Sequence, residues 1–288
     1  MSIDKDQINP MSPDDDLEKF SNLSVPWRKS REEVWAGMFE NLDEKKEARV
    51  VPIYSPWMKW GIAASLLLLL SVGPVFWLYQ TNVSAIPGQH RIVALPDGSQ
   101  VTLNAGSSLQ YKPLLWSFSR KVDFEGEAYF DIAQGSRFEI ISENGTTTIH
   151  GTSFNIYARN NQYKVTCLTG IVEVADNHGN KVMLEANEKV VLSSEGLIKQ
   201  KNANAAQDKA WTDYQFVFTG RPLFEVMEEI ERQYAVHIEL ADPMAALTYT
   251  GNFSSKRPVE ETIDLICAPF GLKFVNTKTG HYRLETNE

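Results

Sequence analysis

Residue types that do chemistry in proteins are present in this sequence, but they form no familiar catalytic or metal-binding motif. The chain has 288 residues, and none of its histidines has the spacing of an HExxH zinc motif. The motifs GxSxG, GxGxxG and GxxxxGK[ST] do not occur, so a nucleophile elbow or a nucleotide-binding loop has no support. The histidines are His90, His150, His178, His237 and His281. We therefore predict no metal site, no cofactor and no enzyme acting on a separate substrate.

The cysteines and a pair of carboxylates in a predicted strand lead to the same prediction. Cys167 and Cys267 lie 100 residues apart without a CxxC motif, which allows one disulfide bond at most. Glu125 and Glu127 flank Gly126 and share one face of a predicted strand. Glycoside hydrolysis needs carboxylates that face each other across a cleft, so we interpret this pair as structural.

The composition indicates that most of the chain folds in water. Hydrophobic residues make up 43% and charged residues 23% of the sequence, which are ordinary values for a globular protein. The net charge is −9 and the isoelectric point is near 5.2. This balance opposes the neutralisation of phosphates along DNA or RNA, so direct binding to nucleic acid is not expected.

One segment departs from this pattern. Residues 60–79 carry no charge and are centred on a run of leucines. As a helix this length spans about 30 Å, the thickness of the hydrocarbon core of a bilayer. The segment therefore predicts a single transmembrane helix, kinked at Pro74, rather than a cleaved signal peptide or a buried core helix. Aromatic residues expected at the two membrane interfaces are Trp57, Trp60, Trp77 and Tyr79.

The flanking cations predict the orientation of this helix. Lys45, Lys46, Arg49 and Lys59 precede the segment, whereas Arg91 is the only basic residue within a similar distance after it. Cytoplasmic flanks of membrane helices carry the excess of lysine and arginine. Residues 1–59 are therefore predicted to form a cytoplasmic head, and residues 80–288 to lie on the other side of the membrane.

The head is too short to be an ordinary domain with its own core. Ser30 and Glu33 have the spacing of a capping box, and apolar residues then recur at helical spacing. These are Val34, Trp35, Met38, Phe39 and Leu42, preceded by a second apolar cluster of Leu17, Phe20, Leu23 and Trp27. The predicted amphipathic helix could pack on its own segment, lie on lipid or bind a cytosolic protein. Its polar face is mainly acidic, which favours the protein partner over lipid.

Residues 80–200 are predicted to form an all-β domain. Short runs with strand propensity alternate with turn signals at Asp97-Gly98, Gly106-Ser107, Glu125-Gly126 and Asn144-Gly145. The predicted strands are Gln89–Leu95, Gln100–Asn104, Lys121–Phe124, Thr146–His150, Tyr163–Leu168, Ile171–Ala175 and Lys181–Leu184. Runs of this length suit either a β-sandwich or a β-solenoid.

A second outer domain, residues 211–288, is predicted to follow a linker at residues 201–210, which are small and polar. It contains a weak internal repeat, because residues 221–240 align with residues 257–276 at an offset of 36 positions. Each copy begins a helix at a proline, Pro222 or Pro258, and continues into a strand. We expect an α+β domain with a duplicated β-α-β unit, in which two helices cover one face of a small sheet with a free edge strand.

Several separated motifs of the β domain follow one another in a specific order. They are Leu95–Ser99, Leu103-Asn104, Ser108-Leu109, Arg120, Glu125–Ile132, Gly151–Ile156 and Gly170–Val174. Together they resemble the FecR family of transmembrane anti-sigma factors. Two positions depart from the family pattern, Ala186–Glu188 in place of Pro-Gly-Gln or Pro-Gly-Glu and Arg137 in place of a common proline.

The flanking regions resemble the same family. The C-terminal repeat, opened by Trp211 and Phe216–Phe218, is similar to a domain of Bacteroidetes-type members that is related to the short N-terminal modules of secretins and TonB-dependent receptors. Pro26–Ser30, followed by Glu33 and Trp35, resemble the sigma-binding head. The resemblance therefore predicts a membrane-anchored protein of several domains.

The resemblance implies a single-pass inner-membrane anti-sigma factor. Such a protein relays a signal from an outer-membrane TonB-dependent transducer to a cytoplasmic extracytoplasmic-function sigma factor. The candidate sigma-binding residues are Trp27, Val34, Trp35, Met38, Phe39 and Leu42. The residues that contact the transducer are not defined by the motifs.

Two further functions are considered for the outer region. Some family members are thought to cleave themselves at a Gly-Thr bond, which Gly151-Thr152 matches, with His150 as a conceivable acceptor for the proton of the Thr152 hydroxyl. The alternative to a regulator is an envelope-anchored module that binds glycan or peptidoglycan. Trp116 and Phe118 are the candidate aromatic platform for such a ligand.

Overall fold

The computed structural model describes residues 28–40 and 56–286, and it divides into two compact units, residues 1–63 and 64–288. Several residues used in the sequence analysis lie outside the described residues. They are Trp27, Leu42, the upstream apolar cluster Leu17, Phe20 and Leu23, and the cations Lys45, Lys46 and Arg49. The candidate sigma-binding face is thus described at four of its six positions.

The first helix, α1 (Arg31–Glu40), begins where the capping box predicts. The backbone N–H of Ser30 donates to Glu33 Oε2 at 3.0 Å, and the backbone N–H of Glu33 donates to Ser30 Oγ at 3.2 Å. These reciprocal bonds satisfy two backbone donors near the start of the helix, where backbone N–H groups have no partner within it. The predicted capping box is confirmed.

The second helix, α2 (Pro56–Leu78), is the one helix among the described residues that is long and apolar enough to cross a membrane. It begins four residues before the predicted span of residues 60–79 and ends one residue earlier. Pro74 lies inside the helix, which continues past it. Neighbouring turns keep the helix intact because proline removes only one backbone donor.

Thirteen strands form the β domain. They are β1 (Thr81–Ala85), β2 (Arg91–Ala94), β3 (Gln100–Leu103), β4 (Ser107–Tyr111), β5 (Arg120–Asp131), β6 (Phe138–Ser142), β7 (Gly145–Ile149), β8 (Ser153–Arg159), β9 (Gln162–Cys167), β10 (Ile171–Asp176), β11 (Lys181–Glu185), β12 (Glu188–Ser193) and β13 (Gly196–Lys201). Each of the seven predicted strands overlaps one of them.

The long strand β5 belongs to two sheets. Its first half pairs with β4 and β6, and its second half pairs with β3 and β8. One sheet has the order β1-β4-β5-β6-β7-β10-β11, and the other has the order β2-β3-β5-β8-β9-β12-β13. Only the β5–β6 pair is parallel among the described strand pairs of this domain. This pattern is typical of a β-sandwich and not of a parallel β-solenoid.

Gly126 lies where β5 passes from one sheet to the other. Its φ of +113° is a conformation that favours glycine, and a Cβ there would lie 2.6 Å from the Cα of Ser107. The sequence analysis predicted a turn at Glu125-Gly126, and this prediction is wrong. The glycine allows the continuous strand β5 to change its pairing partners and allows β4 to approach closely.

Buried side chains from both sheets form one core. Phe130 stacks on Phe154 with ring centroids 5.2 Å apart, and Phe124 meets Phe130 edge to face at 5.4 Å. Cys167 belongs to this core, whereas Cys267 belongs to a separate core in the C-terminal domain. Both cysteines are free, and burial raises the pKa of Cys167 to about 11 and of Cys267 to about 12.

The segment predicted as a linker, residues 201–210, has defined structure. It contains the end of β13 and most of a 3₁₀ helix, Ala205–Asp213. Asp208 accepts hydrogen bonds from Thr166 Oγ1 at 2.6 Å and Asn202 Nδ2 at 2.8 Å, and it pairs with Lys189 at 3.1 Å. Small polar residues indicate a linker only when they lack such partners. Two of the partners, Thr166 and Lys189, lie on β9 and β12 of the β domain.

The C-terminal domain has the order β14 (Gln215–Pro222), α3 (Leu223–Tyr234), β15 (His237–Glu239), α4 (Asp242–Ala245), β16 (Thr248–Ser254), α5 (Val259–Cys267), β17 (Leu272–Lys278) and β18 (His281–Thr286). Pro222 and Pro258 immediately precede α3 and α5, with backbone angles of −54°, 138° and −53°, 147°. The two helix starts therefore keep the offset of the sequence repeat. Each proline lies one position before the first helical residue, whereas the sequence analysis predicted it as the first residue of the helix.

The sheet of this domain differs from the prediction. Instead of one small sheet there are two, β14–β16 and β15–β18–β17. The additional strand β18 pairs with β15 in parallel and with β17 in antiparallel orientation. It separates strands that the repeat alone would place side by side, and buried residues of both helices and both sheets form the second core.

Candidate functional site

The apolar side chains of α1 are exposed in the N-terminal unit. The exposed fractions are 40% for Val34, 52% for Trp35, 66% for Met38 and 54% for Phe39. The rings of Trp35 and Phe39 stack with centroids 5.5 Å apart and planes 14° apart. The helix thus presents a continuous apolar surface of the kind that marks an interaction site.

This surface includes one cation. Arg31 precedes Trp35 by four positions and Met38 by seven, so the three residues lie on the same side of the helix. The helix is therefore less strictly amphipathic than the apolar spacing predicts. A partner that covers this side must place an acidic or other hydrogen-bond-accepting group beside its apolar groove.

The Gly151-Thr152 bond lies in a tight connection before β8. Gly151 has a φ of +146°, and a Cβ there would lie 2.6 Å from the Cα of Gln134. Thr152 is buried, and its Oγ1 has no hydrogen-bond partner among the described residues. His150 is exposed. Two interpretations fit this arrangement. The unpartnered Thr152 hydroxyl fits a nucleophile, and the conformation of Gly151 fits a tight turn.

The candidate aromatic platform does not form. Trp116 is only 5% exposed and meets Tyr111 and Phe138 edge to face. Phe118 is 89% exposed, so the two rings do not share one exposed surface. A sugar-binding surface built from this pair therefore has no support.

Two family motifs meet in a buried ion pair. Arg120 Nε donates to Asp97 Oδ2 at 2.6 Å, and its guanidinium also donates to the carbonyls of Ser136 and Ala133. Burial opposes the ionisation of Asp97, but hydrogen bonds from Ser99 and the charge of Arg120 hold its pKa below the usual range. These residues connect the start of β5 to two loops, the one after β2 and the one after β5, so their role is structural.

The most extensive polar contact in the described residues joins the β domain to one face of α3. This face, here called the α3 polar face, consists of Glu225, Glu228, Glu229, Arg232 and Gln233. Their spacing of i, i+3, i+4, i+7 and i+8 places them on one side of the helix. The apolar side of α3, with Leu223, Val226, Met227 and Ile230, is buried in the C-terminal core.

Gln233 is the centre of this contact. Its Nε2 donates to Asn104 Oδ1 at 2.6 Å and to Glu229 Oε1 at 2.8 Å, and its Oε1 lies 2.9 Å from His90 Nε2. At the end of the helix, the backbone N–H of Gly88 donates to the carbonyl of Arg232 at 2.7 Å. One amide side chain and one helix-terminal carbonyl thus bond two segments of the β domain.

The opposite end of the α3 polar face contacts the turn between β8 and β9. Gln162 Nε2 donates to Glu225 Oε1 and Asn160 Nδ2 donates to Glu228 Oε2, both at 3.1 Å. Outside α3, Trp211 Nε1 donates to Asn155 Oδ1 at 3.2 Å. The two domains therefore meet along the full length of the helix.

Two carboxylates and two guanidinium groups lie within this contact. Burial, and then the charge of Glu229, raise the pKa of Glu127. Burial also opposes the ionisation of Glu229, but Arg232 and Arg159 outweigh it and lower its pKa. Arg159 donates to the carbonyls of Ala105 and Gly106 at 2.6 and 3.0 Å. Each domain contributes one carboxylate and one guanidinium group, so docking buries four charged groups that separation of the domains would return to water.

The sequence analysis found Glu127 but not its setting. It paired Glu127 with Glu125, which is exposed, whereas Asn104 and Asn155 of the β domain hold the carboxylate towards Glu229. The available signal was the heptad-like spacing of the α3 polar face. A charged stripe of this kind is usually a solvated face, which is why it gave no prediction.

The comparisons with known proteins agree with this architecture. The family model described as FecR protein matches residues 81–173, and the one described as FecR, C-terminal, matches residues 215–282. Two crystal structures of a candidate anti-sigma factor from Parabacteroides distasonis ATCC 8503, at 2.50 and 1.65 Å, are similar to this chain with TM-scores of 0.67 and 0.66. Each is 26% identical and covers 73% or 72% of this chain and 100% of its own.

None of the curated proteins compared with the chain matches it. The two family matches begin at the first residues of β1 and β14, so each lies within one folded domain. Family and structural neighbours together imply a sigma factor as the partner and a role in sigma regulation. The chain belongs to the FecR family of anti-sigma factors.

Proposed function

We propose that this chain is a single-pass inner-membrane regulator that holds an extracytoplasmic-function sigma factor in the cytoplasm. The sigma factor binds Val34, Trp35, Met38 and Phe39 of α1, together with Trp27 and Leu42 of the same head. The observation that carries the proposal is the exposed apolar surface of a capped helix in a FecR-family chain. The cations that precede α2 support a cytoplasmic head and a periplasmic C-terminal region.

The input to this regulator is a loaded TonB-dependent transducer of the outer membrane, which contacts the periplasmic domains. The contact between these domains supports such a relay, because it buries charged groups of both domains that undocking of the α3 polar face would return to water. A transducer that binds one domain in a new position changes the free energy of this contact. The change then reaches the head through α2, which continues directly into β1.

Co-purification of the full chain from cells tests sigma binding. The double variant Trp35→Ala, Phe39→Ala removes the stacked pair from the apolar surface, and it should lose the sigma factor. Glu40→Ala is the matched control, since Glu40 lies on the opposite side of α1 and should retain binding. Equal recovery of a sigma factor with all three chains would contradict the proposed binding surface. Recovery of none by the wild type would favour an envelope-binding module.

We also propose that the Gly151-Thr152 bond is a site of self-cleavage. The Thr152 hydroxyl attacks the Gly151 carbonyl, the C–N bond breaks to give an ester and a free amine, and water hydrolyses the ester. The support is the unpartnered buried hydroxyl and the glycine conformation at this bond.

The variants Thr152→Val and Thr152→Ser test the cleavage. Valine keeps the buried shape without the hydroxyl and should abolish the two fragments on a blot, whereas serine keeps the nucleophile and should retain them. Identical fragments from wild type and Thr152→Val would show that the hydroxyl does not act.

A further inference from the structure

An exposed phenylalanine lies in the loop of residues 112–119, which connects β4 to β5. Phe118 is 89% exposed, and Leu114 in the same loop is 41% exposed. Trp116 between them is buried against Tyr111 and Phe138, with ring centroids 5.7 and 5.6 Å apart. The loop is therefore held to the core while it presents two apolar side chains outwards. Such a surface indicates an apolar partner.

The strand register places this loop beside the end of α2. The helix ends at Leu78, β1 begins at Thr81, and Thr81 pairs with Tyr111, the last residue of β4. The next residue, Lys112, has its Nζ 5.0 Å from the ring centroid of Trp77. Since tryptophans at the ends of membrane helices lie at headgroup level, the loop starts at that level.

The rest of the loop stays at the same end of the domain. Leu115 and Ser119 line a shallow pocket together with Trp77, and Lys121 lines it from the start of β5. Lys121 is exposed, and Lys112 is half-buried. Two apolar side chains with two lysines beside an interfacial tryptophan fit a lipid surface, where acyl chains meet phosphates.

We infer that the loop of residues 112–119 rests on the bilayer that α2 crosses, with Phe118 and Leu114 inserted between lipid headgroups. This inference rests on the proposed membrane crossing of α2. The lipid surface is favoured over a protein partner because the loop lies beside the end of the span and contacts Trp77 there.

The other end of β1 supplies a control position. β1 rises about 14 Å from Thr81 to Ala85 at the usual rise per strand residue. Beyond it, Gly88 contacts Arg232 of α3 in the C-terminal domain. Phe224, near the start of α3, is 43% exposed, and its neighbour Glu225 bonds Gln162 of the turn between β8 and β9. Phe224 is thus an exposed phenylalanine in a domain that contacts the end of β1 away from the span.

The test uses the full chain in nanodiscs of phosphatidylethanolamine and phosphatidylglycerol that contain nitroxide-labelled lipid. A thiol-reactive fluorophore is attached at Ser117→Cys, at Tyr79→Cys as the reference for the span, or at Phe224→Cys as the distant control. The native cysteines are buried and free, and wild-type chain gives their background labelling. Quenching by the nitroxide lipid is then compared among the three positions.

We expect quenching at Ser117→Cys to be at least about three times that at Phe224→Cys, because the loop sits within the headgroup region. Adding Phe118→Ser should reduce it towards the control value while thermal unfolding stays unchanged, since Phe118 is exposed. Quenching at Tyr79→Cys but not at Ser117→Cys would overturn the loop inference alone. Absence of quenching at Tyr79→Cys would overturn the membrane crossing of α2 and the loop inference with it.

Discussion

Replacement of Gln233 by alanine should weaken the docking of the β domain and the C-terminal domain. The change removes the bonds of the amide to Asn104 and His90, which join the domains, and one bond to Glu229 within α3. A hydrogen bond of this kind contributes about 1 kcal/mol net, so the two interdomain bonds amount to about 2 kcal/mol. This corresponds to about a 30-fold change in the equilibrium between docked and separated domains.

The groups left behind do not add a large penalty. Asn104 Oδ1 keeps the backbone N–H of Ala105 at 2.8 Å, and His90 keeps its ring contacts with Trp211 and Tyr214 at 5.2 and 5.3 Å. Glu229 loses the donor to its Oε1 but keeps the two hydrogen bonds that Arg232 donates to its Oε2. The effect of Gln233→Ala should therefore be close to the sum of the lost bonds.

A double-mutant cycle measures the interdomain part directly. His90→Phe preserves the ring contacts but removes Nε2, and it is combined with Gln233→Ala in the full chain in detergent micelles. Urea denaturation followed by tryptophan fluorescence should give a coupling energy of about 1 kcal/mol between the two changes. His90→Phe combined with Gln100→Ala, an exposed strand position, should be additive. A coupling energy below about 0.3 kcal/mol for the first pair would refute the contact as described.

Two further predictions concern the β domain. The pKa of Asp97 is lower in the folded than in the unfolded state, so the stability that this carboxylate gives the fold is complete above about pH 4 and is lost as pH falls through the folded pKa. The variant Asp97→Asn should remove this part of the acid dependence of the free energy of unfolding. Gly126→Ala should cost about 2–3 kcal/mol through backbone conformation and contact with β4. Gly98→Ala is the matched control, since Gly98 also has a positive φ but open space around it, and should cost about 1 kcal/mol in the same urea denaturation. Equal losses for the two alanine variants would show that the close approach of Ser107 carries no energy.

Features set by neighbouring residues were predictable from the sequence. The capping box of α1, the apolar span of α2 and the proline-led starts of α3 and α5 each depend on residues within one or two turns. The span ends differ by a few residues because helix ends depend on capping and packing as well as on hydrophobicity.

Features set by distant partners were not predictable. Asn155 of β8 is buried like its apolar neighbours because it bonds Glu127 and Trp211, partners that lie far away in the sequence. Gly126 was predicted as a turn because Ser107, the residue whose close approach requires a glycine there, lies on another strand. The α3 polar face gave no prediction because its partners, Asn104 and His90 among them, belong to another domain.

The short connection between α2 and β1 has a mechanical consequence. Only Tyr79 and Gln80 separate Leu78 from Thr81, and β1 is tied to β4 over five residue pairs. A connection of two residues leaves little freedom for the helix and the β domain to rotate separately, so we expect the two to move together. A force that turns the β domain is then expected to rotate or tilt α2. Inserting a few flexible glycine and serine residues after Gln80 should separate the two motions while both elements keep their structure.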